Sequence, residues 1–156
     1  MRIKLTIIIS LLFIGLVHFG SNATEIKRKY YSSGKLKSEI TYNNGMKDGI
    51  AKRYYENGQI KMEEHFKNNK RNGVLKSFYE NGQLKEEVHY ENNIREGLSR
   101  SFYDNRNIQT EQNYKDGKLN GIHKEYYKNG QIRAIYECKD GHVTSRKDTS
   151  EKSSSR

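Results

Sequence analysis

The sequence predicts an all-β chain, an elongated single-layer antiparallel meander of about five 24-residue β-hairpin repeats. Three observations predict it. The phrase Tyr55-Glu56-Asn57-Gly58-Gln59-Ile60-Lys61 returns one step of 24 later as Tyr79-Glu80-Asn81-Gly82-Gln83-Leu84-Lys85 and again as Tyr127-Lys128-Asn129-Gly130-Gln131-Ile132-Arg133, with looser copies over 31–37 and 103–109. A second phrase keeps the same step eleven residues on: Tyr42-Asn43-Asn44-Gly45 then Gly49, Phe66 then Gly73, Tyr90 then Gly97, and Tyr114-Lys115-Asp116-Gly117 then Gly121. Composition supplies the third observation. Only 33% of the 156 residues are apolar, and too few aliphatic side chains lie beyond the first 20 positions to fill a thick core. A period of this length instead signals stacked units, each too small to bury its own apolar face.

In chain order, a basic start with Arg2 and Lys4 leads into an apolar run over residues 5–19, followed by Gly20-Ser21-Asn22-Ala23. Small residues at −3 and −1 place a cut after Ala23, so residues 1–23 read as a secretory signal peptide. The run is short of the roughly 20 residues a membrane span needs. The chain is therefore expected to be exported, to a periplasmic, cell-envelope or extracellular location. With no cysteine near the cut, lipid attachment there is excluded.

The repeat domain is expected over 24–141. Each copy alternates short runs rich in Tyr, Phe, Ile and Val with two kinds of turn, an Asn-Gly type and a longer Gly-x-x-x-Gly type, which gives about ten strands. Repeated glycine excludes helix. Glu-Asn-Gly fits a three-residue turn with Gly in the left-handed bulge position, and that form places even-numbered residues of both strands on one face. In the second copy this face would hold Ile50, Tyr54, Ile60, Met62 and Phe66, and in the third Val74, Phe78, Leu84, Val88 and Tyr90. Gln59, Lys61, Glu63 and His65, with Gln83, Lys85, Glu87 and His89, would line the opposite, charged face. Equivalent residues of successive copies lie two strands apart, about 9.5 Å. Residues 142–156 are Ser-rich, charged and aperiodic, and are expected to form a disordered tail.

No chemistry stands out. His65 and His89 share a slot but lie too far apart for one metal ion, and that slot holds Thr41 and Asn113 in neighbouring copies, so no metal site is expected. Lys37, Lys61 and Lys85 beside Glu39, Glu63, Glu87 and Glu111 read as a cross-strand charge ladder and not as catalytic carboxylates. The Gly45/Gly49 spacing lacks the following Gly-Lys-Ser/Thr and the helix that a phosphate loop requires. No catalytic residue and no cofactor are expected, and the chain reads as a non-enzyme. Cys138 takes the slot of Tyr42, Phe66, Tyr90 and Tyr114, as a small apolar substitute or as one half of an intermolecular disulfide. The net charge of +10, spread over all copies, serves solubility and favours anionic partners, while an exported chain disfavours nucleic acid.

The phrase Tyr-x-Asn-Gly-Gln-Leu/Ile-Lys, followed by the pattern of Tyr114-Lys115-Asp116-Gly117-Lys118-Leu119-Asn120-Gly121, resembles the bacterial variant of the MORN repeat over residues 30–141. Arg106, where Gly is expected, is the departure. The resemblance implies a single-layer hairpin solenoid used for protein or membrane contact, and the YwqK-type antitoxin family of toxin-antitoxin systems. A phosphatidylinositol phosphate kinase label carried by other relatives does not transfer, because no catalytic segment is present. The expected function is non-enzymatic protein-protein interaction, with another protein or by self-association, as an antitoxin-like partner. The alternative is electrostatic binding of anionic envelope lipid or polysaccharide. The candidate interaction face comprises Tyr54, Phe78, Phe102 and Tyr126 with Phe66, Tyr90 and Tyr114.

Overall fold

The Tyr-x-Asn-Gly phrases fold as the three-residue turns their chemistry demands. In the second copy Tyr55 N–H donates to the Gln59 carbonyl at 2.8 Å, and Gly58 N–H to the Tyr55 carbonyl at 3.0 Å. Gly58 adopts φ +92°, a left-handed conformation that glycine enters without a Cβ clash. The second class of turn is tighter than expected from the Gly-x-x-x-Gly spacing. Asn68 and Asn69 both have positive φ (49° and 66°), as do Asn44 with Gly45, Asn92 with Asn93, Asp116 with Gly117 and Asp140 with Gly141. Two successive positive-φ residues are the type I′ signature of a two-residue hairpin. The second glycine of the phrase sits a few residues on, and in two copies it lies close against the facing strand: a Cβ on Gly49 would lie 3.2 Å from the Thr41 Cβ, and one on Gly73 3.2 Å from the His65 Cβ.

The computed structural model describes residues 23–149. The strands are β1 (Thr24–Tyr30), β2 (Leu36–Asn43), β3 (Met46–Tyr54), β4 (Ile60–Lys67), β5 (Lys70–Arg71), β6 (Gly73–Phe78), β7 (Leu84–Glu91), β8 (Ile94–Arg95), β9 (Gly97–Phe102), β10 (Ile108–Lys115), β11 (Lys118–Leu119), β12 (Gly121–Tyr126), β13 (Ile132–Lys139) and β14 (His142–Asp148). All belong to one open antiparallel sheet in which the long strands follow sequence order, and the two-residue strands β5, β8 and β11 extend the tight hairpins. The all-β meander is as the repeat predicts. The proposed signal peptide lies outside the described residues but for Ala23.

The face assignment is not as predicted. Arg53 pairs with Met62 but Tyr54 pairs with Ile60, so Lys61 is an extra, bulged residue. The same shift makes bulges of Lys37, Lys85, Gln109 and Arg133. One inserted residue inverts the two-residue period of everything beyond it. Ile50, Tyr54 and Ile60 therefore share a face with Lys52, Glu63 and His65, while Met62 and Phe66 project from the other. In the third copy Val74, Phe78 and Leu84 likewise join Glu87 and His89, leaving Val88 and Tyr90 opposite.

Following the pairs across the sheet places all the buried side chains, Ala51, Glu64, Leu75, Ser77, Val88, Ser99, Ala134 and Cys138, on the same face as Met62 and Phe66. We call this the inner face. A single layer reaches such burial only when it curls and its longer side chains arch over shorter ones, which supplies the cover that the sequence could not provide with a second layer.

The tail is the second correction. Residues His142–Asp148 are not disordered but form β14, paired with β13 through the Asp140–Gly141 turn. Every residue of β14 is exposed. The strand is held by its backbone ladder on an edge that would otherwise be unpaired, a force that leaves no apolar pattern in the sequence. The remainder of the predicted tail, 150–156, lies outside the described residues.

Candidate interaction faces

The outer face is built on an ionic row. Cross-strand pairing aligns Arg28, Glu39, Lys52, Glu63, Lys76, Glu87, Arg100, Glu111 and Lys124, with the sign alternating at every strand. The closest approaches are Arg28–Glu39 at 3.4 Å, Lys52–Glu63 and Lys76–Glu87 at 3.7 Å, and Arg100–Glu111 at 3.0 Å. The charge ladder read from the sequence exists, but its cations are these residues and not Lys37, Lys61 and Lys85. Those three bulged lysines lie 5.3–5.5 Å over the rings of Tyr31, Tyr55 and Tyr79. Exposed pairs of this kind each contribute about 0–1 kcal/mol, so the row sets register more than stability.

Beside the ionic row runs an aromatic one: Tyr54, Phe78, Phe102 and Tyr126, opposite Ile60, Leu84, Ile108 and Ile132. All eight are half-buried. Tyr54 donates its hydroxyl proton to Glu39 at 2.7 Å, and Tyr126 donates to Glu111 at 2.7 Å. Burial, reinforced by these carboxylates, pushes both phenols up to about 12. The Tyr126 hydroxyl, with Arg100, holds the Glu111 carboxyl below its usual range.

A folded-state pKa raised above the unfolded value of about 10 means that folding retains protons on these phenols. Their stabilising contribution is complete below about pH 10 and is lost as pH rises through about 12. Alkaline titration followed by phenolate absorbance should show a late component that shrinks in the Tyr54→Phe, Tyr126→Phe double variant, leaving the contribution of Tyr79, whose phenol burial also pushes up. A titration complete at the ordinary tyrosine value would contradict the assignment.

Backbone carbonyls of the aromatic row are tied by a second set of tyrosines. Tyr31 donates to the Tyr54 carbonyl at 2.6 Å, Tyr55 to that of Phe78 at 2.8 Å, Tyr79 to that of Phe102 at 2.7 Å, and Tyr103 to that of Tyr126 at 2.8 Å. The repeating tyrosine of the seven-residue phrase is thus a staple between successive copies.

Phe66, Tyr90 and Tyr114, predicted to share a face with Tyr54 and Phe78, stand on the inner face. Each sits directly across from a glycine, Gly49, Gly73 and Gly97 respectively. Each also lies beneath a cation: Lys47 at 5.1 Å, Arg71 at 5.6 Å and Arg95 at 5.2 Å. Cys138 continues the column, buried and free, paired with Gly121 on one side and with Val143 of β14 on the other. His65 is engaged by a backbone carbonyl, its Nδ1 lying 2.9 Å from the Val74 oxygen.

Two features have no counterpart in the repeat phrases. Glu64 is buried between Arg71, at 2.7 Å, and Arg53, at 3.4 Å. Near the first turn, a cleft of about 240 Å³ is lined by Lys29, Lys37, Arg53 and Lys61 together with Tyr31, Ser38, Tyr54 and Met62.

A family profile described as the MORN repeat variant matches residues 26–44, 47–68, 71–92, 95–116 and 119–140. The chain belongs to the MORN repeat variant family. No curated protein matches it significantly. MORN repeats are in general protein- or lipid-binding modules. The matched segments break at the two-residue turns, so one MORN unit here is a hairpin such as β3–β4 closed by its three-residue turn, and the tyrosine staples join one unit to the next.

Proposed function

We propose that this MORN protein is a non-enzymatic, exported interaction module whose outer face docks another protein. The observation that carries the reading is the aromatic row Tyr54, Phe78, Phe102 and Tyr126, which keeps one spacing across four copies, stands beside a nearly charge-balanced ionic row, and is covered by no other described element. Rigid aromatic anchors next to alternating charges are what a broad protein contact uses, the rings for affinity and the charges for register. Export rests on the basic start and apolar run of residues 1–19. An antitoxin-like role, masking a toxin that acts in the envelope, is the finer form of the proposal and rests on the resemblance of the repeat phrase.

The test is affinity capture from envelope extract with the full chain as bait, washed at low salt and then at about twice physiological salt, where surface charge is largely screened. A single protein should survive the second wash. Its affinity should fall by about thirtyfold or more in the Phe78→Ser, Phe102→Ser variant, the effect of losing about 2 kcal/mol of anchor contacts. Unchanged capture by a folded variant would overturn the outer-face reading. The excess of positive charge favours a second reading, an electrostatic binder of anionic lipid or polysaccharide, and capture of such polymer alone, released by salt, would establish it in place of the first.

A further inference from the structure

We propose that the basic cleft between the first two repeats binds the phosphomonoester group of an organic phosphate. Four cationic residues, with Tyr31, Ser38, Tyr54 and Met62, line a space of about 240 Å³ that no acidic residue lines. Lys29 comes from β1, Lys37 from β2, Arg53 from β3 and Lys61 from β4, so the sheet, and not a flexible loop, sets their spacing. Only Arg53 shares its charge with an acid, approaching Glu64 at 3.4 Å. Lys37 and Lys61 are poised over tyrosine rings. Like charges gathered around one cleft repel each other, and a dianion placed among them relieves that repulsion. The Arg53 guanidinium offers paired donors to phosphate oxygens, the lysines add point charges, and Ser38 adds a hydroxyl. Tyr31 and Met62 form the less polar wall against which the carbon portion of an ester would rest.

The repeat itself supplies the comparison. The slots of Lys29, Lys37, Arg53 and Lys61 become Arg53, Lys61, Ser77 and Lys85 one copy on, with Glu86 replacing Met62. They become Ser77, Lys85, Ser101 and Gln109 two copies on, and Ser101, Gln109, Glu125 and Arg133 three copies on. The scaffold therefore needs no cation in most of these slots. Only the first cleft has four cations and no acid, a departure from the repeat that folding does not demand.

The cleft shares Tyr54 with the aromatic row, and a variant that leaves all four aromatic anchors in place separates this site from the outer-face contact. The experiment titrates the full chain with inorganic phosphate and with glycerol 3-phosphate by calorimetry, and measures cosedimentation with phosphatidylcholine vesicles with and without phosphatidic acid. The cleft variant is Lys29→Ser with Lys61→Gln, which installs residues the later copies already hold in the same slots. The control is Lys115→Gln with Lys139→Gln, which removes equal charge elsewhere. Glycerol 3-phosphate should bind saturably and more tightly than inorganic phosphate, weakening by about tenfold or more in the cleft variant only. Phosphatidic acid vesicles that are bound and then released by glycerol 3-phosphate would place the group on a lipid, and vesicles left unbound would place it on a soluble ester; both uphold the site. No saturable binding of either phosphate, or equal weakening in both variants, would overturn it.

Discussion

Replacing Arg71 with alanine is expected to lower the unfolding free energy by about 3 kcal/mol, whereas replacing its partner Glu64 with valine should leave stability unchanged or raise it by about 1 kcal/mol. Glu64 is only 1% exposed, with its two carboxylate oxygens facing Arg71 at 2.7 Å and Arg53 at 3.4 Å. Removing Arg71 leaves a buried carboxylate with one distant partner, and also removes the cation stacked 5.6 Å from the Tyr90 ring. Removing Glu64 strands nothing comparable, because the side chains of Arg53 and Arg71 are 53% and 41% exposed and can turn to water. The same slot holds Ile40, Val88, Gln112 and Tyr136 in the other copies, so an apolar branched side chain already fits there. Urea unfolding of both single variants and of the double variant checks the claim. In the Glu64→Val background the cost of Arg71→Ala should drop below about 1 kcal/mol, a coupling of about 2 kcal/mol. Equal losses for the two single variants would show that Glu64 contributes net stability.

The period, the hairpin units and the three-residue turn were legible because each depends on local chemistry. Asn57 and Gly58 announce their backbone angles whatever surrounds them, the 24-residue step repeats the pair at 81/82 and 129/130, and Gly34 and Arg106 take the same positive φ in the two looser copies. The phase of the side chains was not legible in the same way, since Lys61 as a bulge looks like any lysine on a wet strand. Its signature is nonlocal. Charges at 28, 39, 52, 63, 76, 87, 100, 111 and 124 fall into one alternating row only when an extra residue is allowed in each hairpin, and that alternation is the trace the bulge leaves in the amino-acid order. β14 left no trace because an exposed edge strand held by backbone hydrogen bonds needs no apolar alternation. The basic cleft was hidden by topology. Its four cations sit on four different strands, and what sets them apart is the serines, glutamine and glutamate standing in the same slots further along.

Replacing Tyr79 with alanine should cost about 3 kcal/mol, and replacing it with phenylalanine about 1 kcal/mol. The smaller loss is the hydroxyl alone, whose 2.7 Å bond to the Phe102 carbonyl spans two repeat units. The larger adds the half-buried ring and the stacking of Lys85, 5.5 Å from its centroid. Tyr79 also closes its own turn through backbone bonds to Gln83 and Gly82, which neither substitution removes, so the hairpin should persist while its attachment to the next one weakens. In an array where each unit contacts only its neighbours, such a loss is felt at one interface first. Native-state hydrogen exchange separates this from a global effect. Amides of β6, β7 and β9 in the alanine variant should exchange faster by about a hundredfold, the equivalent of about 3 kcal/mol, while those of β2 and β3 change by less than tenfold. Uniform acceleration from β2 to β13 would mean that the sheet opens as one cooperative body, and that the staples act on the whole layer instead of on neighbouring repeats.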